Sequence, residues 1–189
     1  MRNVKVIAKR SCAAALLLLA ALLPGNAGAE VPRRERVLVT KVYDGDTIVV
    51  QRNGREETVR LIGVDTPEIS RPETPVQFYG PEAAEYARRM LEGKQATLEF
   101  EAADRPGGSR DRYGRTLAYV LTDDGKNFDL ELVRQGYGRV YDKYPFRYQR
   151  EFRQAEREAR AEGRILGPHP DWSARLAGAV DLRALSPFL

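Results

Sequence analysis

Cysteine is almost missing from this chain. The 189 residues hold one, Cys12, and it lies at the start of an apolar stretch near the N-terminus. Beyond that stretch, disulfides, zinc–thiolate centres and cysteine nucleophiles are excluded. Histidine is equally scarce: the lone His169 sits between Pro168 and Pro170. One imidazole rules out a histidine metal pair and two-histidine acid–base chemistry, and its setting reads as a surface loop. A charge excess is missing too. Four of the 31 Lys and Arg residues (Arg2, Lys5, Lys9 and Arg10) lie in the first 29 residues, which hold no acid, leaving 27 basic against 27 acidic. The formal +4 therefore belongs to the N-terminus. Bulk basicity is no argument for nucleic-acid binding; only local clustering can be.

What is present begins with an export pattern. The four basic residues precede the apolar stretch Ala13–Leu23, and Ala27-Gly28-Ala29 supplies the small residues that signal peptidase accepts. The stretch falls short of the roughly 20 residues a membrane span needs. Residues 1–29 are expected to be a cleaved signal peptide, leaving an exported protein, secreted or periplasmic, with no membrane attachment. The remaining chain of about 160 residues suits one domain.

Alternation and β-branched content predict strands from Arg36 to Tyr43, over Thr47–Val50 and onward, and over Arg55–Ile62, with Asn53-Gly54 as a two-residue hairpin turn. Ala96–Glu101 and Thr116–Leu121 add two more, separated by a Pro/Gly-rich loop at 104–110. Gly80-Pro81-Glu82 opens a helix with an apolar stripe of Ala83, Ala84, Ala87, Met90 and Leu91, closed by Gly93. Asp129–Arg134 predicts a short helix, and Arg147–Gly163 a long charged one with internal ion pairs such as Arg147 with Glu151. Five strands with helices after the third and fifth predict an α+β fold, a five-stranded OB-type β-barrel with helical additions. Residues 173–189 form a tail of unassigned role.

Three short segments carry the chemistry: Asp44-Gly45-Asp46-Thr47, Arg60-Leu61-Ile62-Gly63-Val64-Asp65-Thr66-Pro67-Glu68 and Asp111-Arg112-Tyr113-Gly114-Arg115. Their carboxylates can hold a hard cation through oxygen and activate a water, and their arginines can grip phosphate bidentately and neutralise charge building on it. The Asn53-Gly54 hairpin makes neighbours of the strands that end near Asp46 and Asp65. Two carboxylates so placed repel unless a cation lies between them. Taken alone each segment is an ordinary turn; together they point to metal-assisted phosphodiester cleavage.

With these segments, Tyr79-Gly80-Pro81-Glu82-Ala83, the continuation Arg115–Val120 and Leu132-Val133-Arg134-Gln135-Gly136, the chain resembles the staphylococcal nuclease (thermonuclease) family from about Val37 to Trp172. The domain is expected over residues 36–172. The resemblance implies a five-stranded OB-type barrel with three helices and a calcium-dependent endonuclease acting on DNA and RNA, single-stranded or locally unpaired, leaving 3′-phosphates. It implies that Asp46, Asp65 and the Thr66 carbonyl hold Ca2+, and that Arg60, Arg115 and the general base Glu68 are catalytic. Arg112 and Tyr113 would line the pocket for a nucleotide phosphate, with arginine where the family often has lysine. The family's base-stacking tyrosines after the second helix are represented by Tyr144, while Asp142 stands where another would align. A monomer is expected. The competing reading is a non-catalytic binding module on the same barrel, which the presence of all five of Asp46, Arg60, Asp65, Glu68 and Arg115 disfavours.

Overall fold

Alternation between core and solvent fixes the first strands, and turn chemistry sets how they meet. The computed structural model describes residues 31–69, 76–101 and 108–164. The expected signal peptide, His169 and the 173–189 tail lie outside these residues. Strand β1 (Arg34–Val42) runs antiparallel to β2 (Thr47–Arg52), with a register irregularity between Val39 and Lys41. Asn53 and Gly54, with φ of 50° and 75°, both adopt the left-handed conformation that a tight hairpin between twisted strands requires. They return the chain as β3 (Arg55–Leu61). A two-residue strand β4 (Val64–Asp65) follows, then helix α1 (Gly80–Leu91), β5 (Gln95–Glu99) and β6 (Thr116–Leu121). Strands β1, β2, β3, β6 and β5 close into a barrel in that order, with β3 and β6 parallel. This is the expected OB-type α+β architecture.

Apolar burial holds the barrel together. Val39, Val50, Val59, Leu98 and Val120 fill its interior and are fully buried. In α1 the predicted stripe is buried at Ala83, Ala84, Ala87 and Leu91, while Met90 is exposed instead. Helix α2 (Phe128–Arg134) begins at Asn127, whose side chain accepts the Leu130 N–H at 3.0 Å. Helix α3 (Gln149–Ala161) buries Phe152, Ala155 and Ala159 and turns its charges to solvent.

Two features were not expected. The short strand β7 (Arg139–Val140) pairs antiparallel with β4, placing Arg139 opposite Asp65. Arg147 precedes α3 rather than opening it, so its predicted pairing with Glu151 is replaced. Its guanidinium instead lies 3.2 Å from the fully buried Glu99 on β5, and its backbone N–H donates to Glu101 at 2.9 Å. Beneath the parallel seam, the buried Asp129 carboxylate accepts N–H bonds from Val120 (3.0 Å) and Ile62 (3.2 Å), joining α2 to β6 and to the residue just past β3.

Candidate active site

Asp44, Gly45 and Asp46 form the turn between β1 and β2, where short side chains satisfy turn amides. Asp44 Oδ1 accepts the Asp46 N–H at 3.1 Å. Asp46 is buried: its Oδ2 accepts the Thr66 N–H at 2.8 Å, and its Oδ1 the Thr47 hydroxyl at 3.1 Å. Gly45 is needed here, since a Cβ would stand 2.7 Å from Thr66 Cγ2. Burial pushes the Asp46 carboxyl up to about 7 despite the opposing Arg60 guanidinium. Asp44 is raised as well, first by burial and then by the charge of Glu68.

Arg60, at the end of β3, is the hub. Its Nη1 donates to the Leu61 and Val64 carbonyls at 2.7 and 2.8 Å. Its Nη2 lies 3.0 Å from Asp46 Oδ2 and 3.5 Å from Asp65 Oδ1. The cation between the two expected metal carboxylates is thus a guanidinium. Burial works against its charge, but Asp46, Asp65, Asp44 and Glu68 together hold its proton more tightly than usual. Asp65 has a second cationic partner, Arg139, whose Nε and Nη2 donate to Oδ2 at 3.1 and 2.8 Å. Sequence reasoning missed Arg139, because a two-residue ladder leaves no periodic signal.

Glu68 follows Pro67, and its backbone is pinned by Gln77: the Glu68 N–H donates to Gln77 Oε1 at 2.9 Å, and the Gln77 N–H to the Glu68 carbonyl at 3.0 Å. Arg115 is set by the 111–115 turn. Asp111 accepts the Tyr113 and Arg115 N–H groups at 2.9 and 3.0 Å, then the Arg115 Nε at 2.7 Å. Arg112 Nη2 donates to the Tyr113 hydroxyl at 2.6 Å.

Of the residues singled out from the sequence, Arg60, Asp65, Glu68, Arg112, Tyr113, Arg115 and Tyr144 line one cleft of about 670 Å3. Asp46 and Thr66 are buried and absent from its wall; Asp46 joins it through Arg60. Tyr144 is 65% exposed at the cleft, with Tyr141 and Lys143 beside it. Asp142 is engaged elsewhere, by Arg153 of α3.

The donors are all oxygen, the chemistry of a hard cation. Four carboxylates act on a single buried guanidinium, and the buried Thr66 hydroxyl has no hydrogen-bond partner in the described structure. Both features fit a divalent cation. Among the described residues no three His, Cys, Asp or Glu side chains form a ready-made cage. Asp46 and Asp65 offer two carboxylates to such an ion, and both are paired with Arg60.

Fold and cleft together define an OB-type α+β domain whose open groove is lined by arginines over a buried acidic floor. Residues 58–166 match the family model described as staphylococcal nuclease homologue. The chain is 40% identical over 136 residues to a thermonuclease of Staphylococcus hyicus, covering 71% of this chain and 76% of that protein. It is 41% identical over 128 residues to a thermonuclease of Staphylococcus intermedius, covering 67% and 73%. It is also 40% identical over 128 residues to endonuclease YncB of Bacillus subtilis, covering 67% and 58%. The chain belongs to the staphylococcal nuclease family.

Proposed function

We propose that this chain, a nuclease of that family, hydrolyses phosphodiester bonds of single-stranded or locally unpaired DNA and RNA with calcium, cutting internally and leaving 3′-phosphates. The observation that carries the reading is the convergence of Arg60, Arg115, Asp65 and Glu68 on one cleft. The relatives' names, thermonuclease and endonuclease, support it.

Asp46, Asp65 and the Thr66 carbonyl would hold the cation, which when bound supplies Lewis-acid stabilisation to a nonbridging phosphate oxygen. The chain's own residues do the remainder. Arg60 and Arg115 grip the phosphate and offset charge growing on its equatorial oxygens. Glu68 accepts a proton from the attacking water, its position fixed by Pro67 and Gln77. Arg115, steadied by Asp111, faces the departing 5′ oxygen. Arg112 and Tyr113 hold a neighbouring nucleotide phosphate, and the exposed Tyr144 ring offers a base-stacking surface worth about 1–3 kcal/mol. We further propose that residues 1–29 direct export to the periplasm or exterior, and that the domain over 36–172 works as a monomer.

Cleavage of heat-denatured DNA by the purified protein in calcium, in magnesium and with a chelator tests the reading, beside an Arg60→Ala/Glu68→Gln control. Calcium-dependent cutting that the control loses is the expected outcome. Arg115→Ala alone should lower kcat/KM by on the order of a hundredfold or more, about 3 kcal/mol of transition-state stabilisation. Binding without cutting under every ion would leave a nucleic-acid-binding module.

A further inference from the structure

A second cavity, of about 730 Å3, opens on the barrel wall between the β2–β3 hairpin and the 110–115 turn. Arg110, Tyr113 and Arg115 line both this cavity and the catalytic cleft, so the two adjoin through a shared wall. Its lining is rich in guanidinium: Arg52, Arg55, Arg110 and Arg115 stand against two carboxylates, Glu56 and Glu57. Glu57 is consumed internally, by Arg52 at 3.0 Å and by Arg110 and the Thr116 hydroxyl. These bonds hold it below the usual carboxylate range although burial opposes them.

Two details point to an anion as the occupant. Arg52 and Arg55 are directly opposite each other across the hairpin, and the carboxylates Glu35 and Glu57 answer the charge of Arg52 alone. Arg52 is held down by Glu35 at 2.6 Å and over the Phe100 ring, whereas Arg55 is exposed at the strand end and has no ion-pair partner among the described residues. Arg110 is fixed in direction by the Gly114 carbonyl, which accepts its Nη1 at 2.7 Å. Tyr113, 62% exposed, stands at the shared wall with the Arg112 and Arg115 guanidiniums 4.7 and 5.4 Å from its ring centre. An aromatic ring braced by two cations is a platform for a base, with a phosphate to either side.

We infer that the second cavity is a backbone subsite for the continuing strand: Arg55 and Arg110 take a phosphate beyond the nucleotide held at Arg112 and Tyr113. The inference rests on the nuclease reading for which strand passes, and it adds a chain-length dependence that the reaction centre alone does not supply. A dinucleotide ends before this cavity; a longer strand enters it.

The test compares the wild type with Arg55→Ala, Arg55→Glu and Arg110→Ala, with folding checked by circular dichroism and Tm. Fluorescence anisotropy in chelator, where nothing is cut, reads the affinity for a labelled single-stranded dodecanucleotide and for a dinucleotide. Arg55→Glu should weaken the longer strand by about tenfold and leave the dinucleotide within about twofold. The salt dependence of dodecanucleotide binding should flatten by about 0.7 in log–log slope for each phosphate that the variant no longer neutralises. With calcium, the KM of Arg55→Glu for the long strand should rise while its kcat on the dinucleotide is kept. An unchanged long-strand affinity in both Arg55 variants, or equal losses on both lengths, overturns the subsite. Length-dependent loss upholds it even if the wild type cuts neither strand, in which case the catalytic reading is what fails.

Discussion

At the scale of single residues, the site is a competition for carboxylates. Asp65 is shared between Arg60 and Arg139, and Arg139 occupies the oxygen that does not face Arg60. Arg139→Ala removes that competitor, so calcium should bind more tightly by calorimetry; a weaker affinity would instead mean that Arg139 orients Asp65. Asp111 offers a separate pH signature. Burial opposes its charge, yet hydrogen bonds from Arg115 and the turn amides hold it below its ordinary value of 3.8. A carboxyl depressed on folding contributes stability that is present above that value and is lost as pH falls through the folded one. Asp111→Asn should therefore show a shallower fall of Tm on acidification below about 4, followed by thermal melts across pH. The named turns made Asp46, Asp65, Arg60 and Arg115 readable in the sequence, because short side chains and glycine mark strand ends. The pairing of Arg139 with Asp65 and the exposed position of Arg55 were not readable, because an isolated arginine carries no pattern.

At the scale of elements, the unexpected β4–β7 ladder positions the acidic floor. A Cβ at Gly138 would stand 2.7 Å from Val64 Cγ2 and 3.0 Å from the Asp65 carbonyl. Gly138→Ala should push β4 outward and cost about 1–3 kcal/mol by chemical denaturation, with calcium affinity falling as Asp65 and Thr66 move. Strands of two residues lie below the length at which alternation is visible, which is why this ladder escaped prediction while the barrel strands did not. The start of α3 was misplaced for a related reason. Arg147 and Glu151 share helical spacing, but the buried Glu99 is the stronger partner for a cation, and only the folded chain brings it near.

At the scale of the whole molecule, the five-stranded barrel class followed from strand count, the Asn53-Gly54 turn and the helix positions, whereas the strand order, with its β3–β6 pairing, is a long-range fact no local pattern carries. The C-terminal half is tied to the barrel by Glu99, fully buried, which binds Arg34, Arg147 and the Tyr148 hydroxyl. Glu99→Ala would leave those groups without their shared anion, and a loss of about 3 kcal/mol or more is expected in urea unfolding. The parallel seam has a different consequence. Val59 pairs with Thr116 and Arg60 with Leu117, so Arg60 on β3 and Arg115, the residue just before β6, are held at a separation fixed by register. Sliding one strand by a residue would turn a guanidinium into the core rather than move it slightly. The gap between the two arginines is thus a stepped quantity. Substitutions can change what spans it, but its width can alter only in whole increments of the sheet, and Asp129, bonded to Val120 on β6 and to Ile62 just past β3, braces the seam against the first increment.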